Sequence, residues 1–304
     1  MLSILQFAEQ SGNSAQIGIA KIIEKYTKLA SRLPLKVIDR LTYEFGKETS
    51  LGEVGKRAVN QPAPDNNPGT VTPQSEPIIM LSRKIKTDHR LASLNPNARG
   101  EEAARGTRAI ARVMDDELVN GNRSTDATSI NGLLTRCTGS QLITVGDNGA
   151  VLHADHLQAA LDAVQDQGNG KLIVLSRPIY RQLVANIMTT AGGTTVAEMT
   201  SELPMFEGSP IIILGDKLHG TPILGFTETQ GTDDETASAL VIAPGNEDVE
   251  LSGVKLLMAS NSIETISEGI RDSQHIDVLE VAFGLAVYDD TAVARIRGIA
   301  KLTA

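Results

Sequence analysis

Leu35 to Lys47 reads LKVIDRLTYEFGK, Ile78 to Lys86 reads IIMLSRKIK, and Pro96 to Val119 reads PNARGEEAARGTRAIARVMDDELV. In the first stretch Leu41, Tyr43 and Phe45 alternate with Thr42 and Glu44, a period of two that predicts a strand with one buried face. The second stretch predicts the strand that returns beside it. Gly46, Gly52 and Gly55 follow, with prolines at 62, 64, 68, 73 and 77. Proline lacks a backbone donor, so residues 61–69, QPAPDNNPG, are expected to be open loop. Unstructured loops beyond about 12–15 residues are uncommon inside a compact domain and usually have a function. A hairpin this long is expected to lie on a body other than its own, and a second copy of the chain is the natural one.

The third stretch predicts a long helix. Asn95 is expected as its N-cap and Pro96 as its first residue. Ala103, Thr107, Ile110, Ala111, Met114 and Leu118 share one face, and Asn120-Gly121 is expected to supply a left-handed stop. Gly100 and Gly106 are expected to weaken the helix by roughly 1 kcal/mol each. Asp115-Asp116-Glu117 reads as a solvated helix face, because adjacent helical positions diverge.

Residues 15–32 read as a loosely amphipathic helix with Pro34 beyond it, an N-terminal arm that precedes any core. Downstream, helices are expected over 155–166 and after Ser176. Strands are expected at Lys171–Leu175, Pro210–Leu214, Thr221–Phe226, Ala239–Ile242, Val278–Tyr288 and Ala292–Ile299, with a loop at 267–275 between the long C-terminal strands. This pattern is α+β, or mixed α/β.

Aromatic residues make up 3% of the chain and Trp is absent, so a base- or sugar-stacking surface is not expected. Cys137 is alone, which fits a reducing compartment, and the start lacks a basic signal-peptide region, so an intracellular, soluble product without membrane contact is expected. Residues 1–112 hold 17 Lys+Arg against 11 Asp+Glu, whereas residues 113–304 hold 11 against 26. A basic arm docking on the acidic body of a neighbour would use that split. The net charge of −9 argues against tight nucleic-acid binding.

No phosphate-binding or nucleophile-elbow motif is present. The Gly-rich run 189–195 lacks a Lys to reach a phosphate and reads as a flexible loop. His153, Asp155 and His156 are the best metal candidates, against a plain reading as a helix start. His89, His219 and His275 read as isolated, and Asp233-Asp234-Glu235 as a solvated loop.

Taken in order, these elements resemble the major capsid protein of tailed bacteriophages with the HK97-type fold. Asn120-Gly121-Asn122 followed by Ile130-Asn131-Gly132-Leu133-Leu134 is similar to that family's Gly-Asp-Gly-like turn and Gly-Leu pair, departing from it at Asn122 and Arg123. Phe206-Glu207-Gly208-Ser209-Pro210 resembles its Gly-x-Pro strand entry, and the runs 283–287 and 295–298 resemble its closing strands. The resemblance implies an N-terminal arm over 1–33 and an extended E-loop over 34–88. It implies a peripheral domain of 89–121 and 246–288 with a spine helix at 96–120, and an axial domain of 122–245 and 289–304.

It further implies a non-enzymatic shell subunit that assembles as hexamers and pentamers around double-stranded DNA, in a virion built in the host cytoplasm. No cofactor is expected. A separate scaffolding protein, a portal and decoration proteins are the expected partners besides other copies. Lys47, Glu53, Lys56 and Arg57 are expected to make intersubunit E-loop contacts, and Lys21, Lys25, Lys28 and Arg32 weak, non-specific contacts with packaged DNA. Some relatives cross-link an E-loop Lys to an Asn with a nearby Glu as base. Lys47, Lys56 and Glu280 are available here, but 267–275 offers only Gln274 in place of the acceptor Asn. An encapsulin-type compartment enclosing protein cargo, and a metal-dependent α/β enzyme using His153, Asp155 and His156, are the alternative readings.

Overall fold

The computed structural model describes residues 3–50, 52–65, 68–166, 168–190, 204–218, 220–246, 249 and 251–301. His219 and residues 191–195 of the Gly-rich run lie outside them. The chain begins with helices α1 (Ile4–Gln10) and α2 (Ser14–Tyr26) and strands β1 (Leu35–Ile38), β2 (Thr42–Ser50), β3 (Thr70–Pro77) and β4 (Ile79–Asp88). Helices α3 (His89–Leu94), α4 (Ala98–Asn120) and α5 (Leu133–Arg136) follow, then β5 (Leu142–Thr144), α6 (Ala154–Ala163), β6 (Leu172–Ser176) and α7 (Arg177–Thr190). The remainder is β7 (Met205–Phe206), β8 (Ser209–Leu214), β9 (Glu228–Gln230), β10 (Asp233–Ile242), β11 (Val254–Arg271), β12 (Gln274–Val287) and β13 (Val293–Ala300).

Two larger sheets and one ribbon organise these elements. The first sheet has the order β1-β11-β12-β4, and the second runs β5-β13-β10-β6-β8-β7 with β9 on β10. β2 and β3 pair only with each other. The extended segment read over 35–47 is therefore two strands. It breaks at Asp39–Leu41, β1 joins the first sheet parallel to β11, and β2 leaves for the ribbon. β3 accommodates Pro73 and Pro77 because a two-stranded ribbon has open edges, where a missing donor is tolerated.

Several sequence expectations are corrected. Asn95 caps the end of α3, its N–H donating to Leu91 O at 2.8 Å, so the long helix starts at Ala98 rather than Pro96. Helix 15–32 ends at Tyr26, where Thr27 turns extended and its hydroxyl donates back to Ile23 O at 2.9 Å. Residues 221–226 are not a strand; they form turns whose Ile223 and Leu224 are buried. Residues 267–275 are not a loop, because pairing of β11 with β12 continues to Arg271↔Gln274 across a tight turn at Asp272-Ser273. Asp233-Asp234-Glu235 opens β10.

The spine helix α4 buries Ile110, Met114 and Leu118. The arm helix α2, β4 and β12 all pack against it. Gly106 is useful there: a Cβ would sit 3.0 Å from Ile85 Cδ1, so its absence lets the helix approach β4 closely. Met114 is wholly buried. Met114→Asp is expected to destabilise the fold by on the order of 4 kcal/mol, because an unpaired carboxylate replaces apolar packing. Calorimetry checks this, and an unchanged melting temperature would contradict the packing of this face.

Candidate assembly surfaces

The ribbon is rigid at its root and bare at its tip. Tyr43 and Phe45 on β2 pack with Tyr288, at ring-centroid separations of 5.5 Å between the first two and 4.7 Å from Phe45 to Tyr288. The hydroxyls of Tyr288 and Tyr43 are 3.2 Å apart. Ile38, Ile78, Leu257, Ala282 and Ala286 complete this satellite core. Glu76 of β3 makes a two-pronged ion pair with Arg136, at 2.6 and 2.8 Å, and Arg136 Nε donates to Asn131 O at 2.8 Å. The pair is largely removed from water, so losing one partner strands a buried charge. Arg136→Met is expected to cost about 3–5 kcal/mol, and the double change with Glu76→Leu to recover most of it. Denaturant unfolding of the three variants checks this; equal losses in the single and double variants would contradict it.

Beyond the last paired residues, Ser50 and Thr70, every described residue from Gly52 to Asp65 is exposed. Val54 and Val59 are 93% and 90% exposed, which is unusual for two valines so close in sequence. Glu53, Lys56 and Arg57 stand among them, with Arg57 donating to Gln61 O at 2.9 Å. Lys47, grouped with them by the sequence reading, instead sits in the stem and pairs with Asp290 of its own chain.

The N-terminal arm does not precede the core as expected but joins it through Ile4, Ala8, Ala20, Ile23, Leu29 and Leu33, and one buried carboxylate of the spine fixes its last turn. Asp115, 2% exposed, accepts from the backbone N–H groups of Lys28, Leu29 and Ala30 at 2.6, 3.3 and 3.2 Å. This overturns the reading of 115–117 as a solvated face. Asp116 pairs with Lys217 at 2.9 Å, and Glu117 accepts from Ser129 Oγ. Burial pushes Asp115 up to about 6, partly offset by the three N–H donors and by the charge of Lys28. Lys21 and Lys25 on α2, and Lys28 and Arg32 beyond its end, are all exposed. Arg108 of the spine lies over the Tyr26 ring at 5.7 Å.

The turn after the spine works by close approach. Gly121 has φ −48°, so it is not the left-handed stop expected. Gly132 N donates to Gly121 O at 2.8 Å, and a Cβ on Gly121 would lie 2.5 Å from Glu117 O. A Cβ on Gly132 would lie 2.7 Å from Val119 O. Both glycines are needed because two backbones touch there. The Phe206–Pro210 motif is a tight hairpin, with Glu207 and Gly208 both at positive φ between β7 and β8.

The enzyme candidates do not converge. His156 Nδ1 accepts from His153 N at 3.2 Å, and His153 Nδ1 is 2.9 Å from Asn186 Nδ2, so both rings are engaged in closing the start of α6. Among the described residues no group of three or more His, Cys, Asp or Glu is placed to hold a metal. A polar cleft of about 670 Å³ is lined by Asn122, Arg136, Cys137, Arg295 and Arg297, among others. Burial pushes the Cys137 thiol up to about 12, which makes it a poor nucleophile. No described helix is long and apolar enough to cross a membrane.

No protein-family model and no curated protein matches this chain. Solved structures do match along its length. The capsid of an empty GTA particle aligns over 90% of each chain with a TM-score of 0.68 and 12% identity. The holo-SrpI encapsulin complex from Synechococcus elongatus aligns over 90% of this chain and 87% of its own, with a TM-score of 0.66 and 16% identity. The satellite phage P4 procapsid, described with its size determination protein, aligns over 94% and 91%, with a TM-score of 0.60 and 9% identity. The chain has the α+β HK97-type shell-protein fold, as its sequence resemblance implied.

Proposed function

We propose that this chain is a structural major capsid protein that self-assembles into an icosahedral shell enclosing double-stranded phage DNA. The observation that carries the reading is the ribbon: a root locked by an aromatic cluster and a buried ion pair projects a fully exposed tip bearing Val54 and Val59. Such a tip has a use only on another body. The fold shared with capsid and encapsulin shells supports another copy as that body, in proposed rings of six and five. The division is read as arm 1–33, E-loop 34–88, a peripheral domain centred on α4 with β11 and β12, and an axial domain around the second sheet. Glu53, Lys56 and Arg57 are the tip charges that meet the neighbour.

The exposed cations Lys21, Lys25, Lys28 and Arg32 are read as a weak, non-specific contact for packaged DNA. Scaffolding, portal and decoration proteins are the remaining proposed partners, and the virion assembled in the host cytoplasm is the proposed location. No enzymatic activity belongs to this reading. Electron microscopy of the purified protein tests it: closed particles are expected, and nuclease-protected DNA in particles from infected cells. A protein that stays monomeric across assembly conditions would overturn it. The second reading, an encapsulin-type compartment, is favoured by the cyanobacterial match; packaged protein instead of a genome would decide for it.

The shell is expected to be held without covalent links. Residues 267–275 contain no Asn, Gln274 is paired opposite Asp88, and Lys47 is engaged with Asp290. Particles are therefore expected to run as 32.3 kDa monomers on a denaturing gel. A ladder resistant to boiling and reductant would refute this.

A further inference from the structure

The two histidines that the sequence leaves isolated are brought together by the fold. β4 ends at Asp88, α3 starts at His89, and the pairing Thr87↔His275 places both histidines at one end of the first sheet. His89 N donates to Ser273 O at 2.8 Å, which ties that residue to the β11–β12 turn. His89 Nδ1 then faces His275 Nε2 at 3.0 Å, across a sequence separation of 186 residues. Two imidazole nitrogens on one tetrahedral metal, each at about 2.0–2.1 Å from it, are roughly 3.3 Å apart. A small rotation of either ring converts one spacing to the other.

A second observation points to the same place. Thr87 is 2% exposed and its buried hydroxyl has no hydrogen-bond partner among the described residues. As the cross-strand partner of His275, it projects to the same face of the sheet. A buried hydroxyl left unpaired is costly, and a metal-bound water is a partner of the right kind. In the His153–His156 pair each Nδ1 faces a group other than the partner ring, so no two ring nitrogens are brought face to face there.

We infer that His89 and His275 form a two-imidazole site for a borderline-soft divalent cation such as Zn²⁺ or Ni²⁺. Water completes the coordination shell, and the Thr87 hydroxyl hydrogen-bonds one of those waters. Both ring nitrogens act in their neutral form, the state that donates a lone pair to a metal.

Calorimetric titration of the full-length protein with NiCl₂ tests the site. One equivalent per chain is expected. H89N and H275N are each expected to weaken binding by at least about tenfold, whereas H153N/H156N leaves it unchanged. Melting of H89N/H275N at the wild-type temperature separates lost ligation from lost folding. Absence of stoichiometric binding in the wild type, or wild-type affinity in H89N/H275N, would overturn the proposal. Unchanged affinity in T87V would remove the hydroxyl from it.

Discussion

Replacing residues 51–69 with an Asn-Gly turn is expected to give a folded, soluble protein that no longer closes shells. Ser50 and Thr70 are paired across the ribbon, so a two-residue turn joins them without disturbing the root. The described residues of the removed tip bury almost nothing against their own chain. Shortening the loop changes closure entropy only slightly, about 0.6 kcal/mol for each halving of length. Assembly is a different matter. Fully burying a valine contributes about 1.5–3 kcal/mol, so Val54 and Val59 supply several kcal/mol per subunit if a neighbour covers them, and every copy in the shell loses that together. Surface ion pairs are worth about 0–1 kcal/mol each, so single substitutions at Glu53, Lys56 or Arg57 are expected to be mild. Light scattering and negative-stain microscopy measure the outcome. Normal shells at wild-type yield would remove the strut assignment.

Asp115→Ala is expected to release the N-terminal arm. The carboxylate is the acceptor for three consecutive N–H groups, and Leu29 and Ala30 are at most 1% exposed, so water cannot replace it while the arm stays docked. Each stranded donor costs about 1–3 kcal/mol, enough for undocking to become the cheaper response. Faster amide exchange at 28–30 and new protease cleavage within residues 1–33 are the readouts; wild-type protection would refute the latch. The same group sets a pH dependence. Its docked value of about 6 lies above the free value of 3.8, so the docked state holds the proton more tightly. Between those values docking is strengthened as pH falls and weakened as pH rises through about 6. Asp115→Asn keeps one acceptor oxygen but does not titrate, so it should cost less than Ala and abolish this slope. A slope retained in the Asn variant would assign it to another group.

The sequence by itself determined the features that rest on local pattern. The alternation of Tyr43 and Phe45 with Thr42 and Glu44, the prolines at 62, 64 and 68, and the apolar face of 103–118 are each contained within one element, so periodicity and backbone chemistry reveal them, although Leu41, read with the alternation, lies exposed in the break before β2. Together they were enough for the fold class and for locating the exposed tip. They were not enough for β11, whose outer half, Glu264 to Arg271, is exposed throughout, Ile266 and Ile270 included, and so carries no burial pattern. The spine turn was recognised by its glycines, but for the wrong reason, since their purpose is an approach between residues 121 and 132 and not a left-handed dihedral.

What only the tertiary structure decided is how distant residues are paired. Asp115 looks like its acidic neighbours until the arm, 85 to 87 positions upstream, presents its N–H groups. Lys47 looks like a tip charge until Asp290 is placed beside it, and His89 and His275 look solitary until β4 and β12 are in register. A side chain's role in these cases is set by what it faces. Backbone periodicity reports which way a residue points relative to its own element, not which element lies opposite.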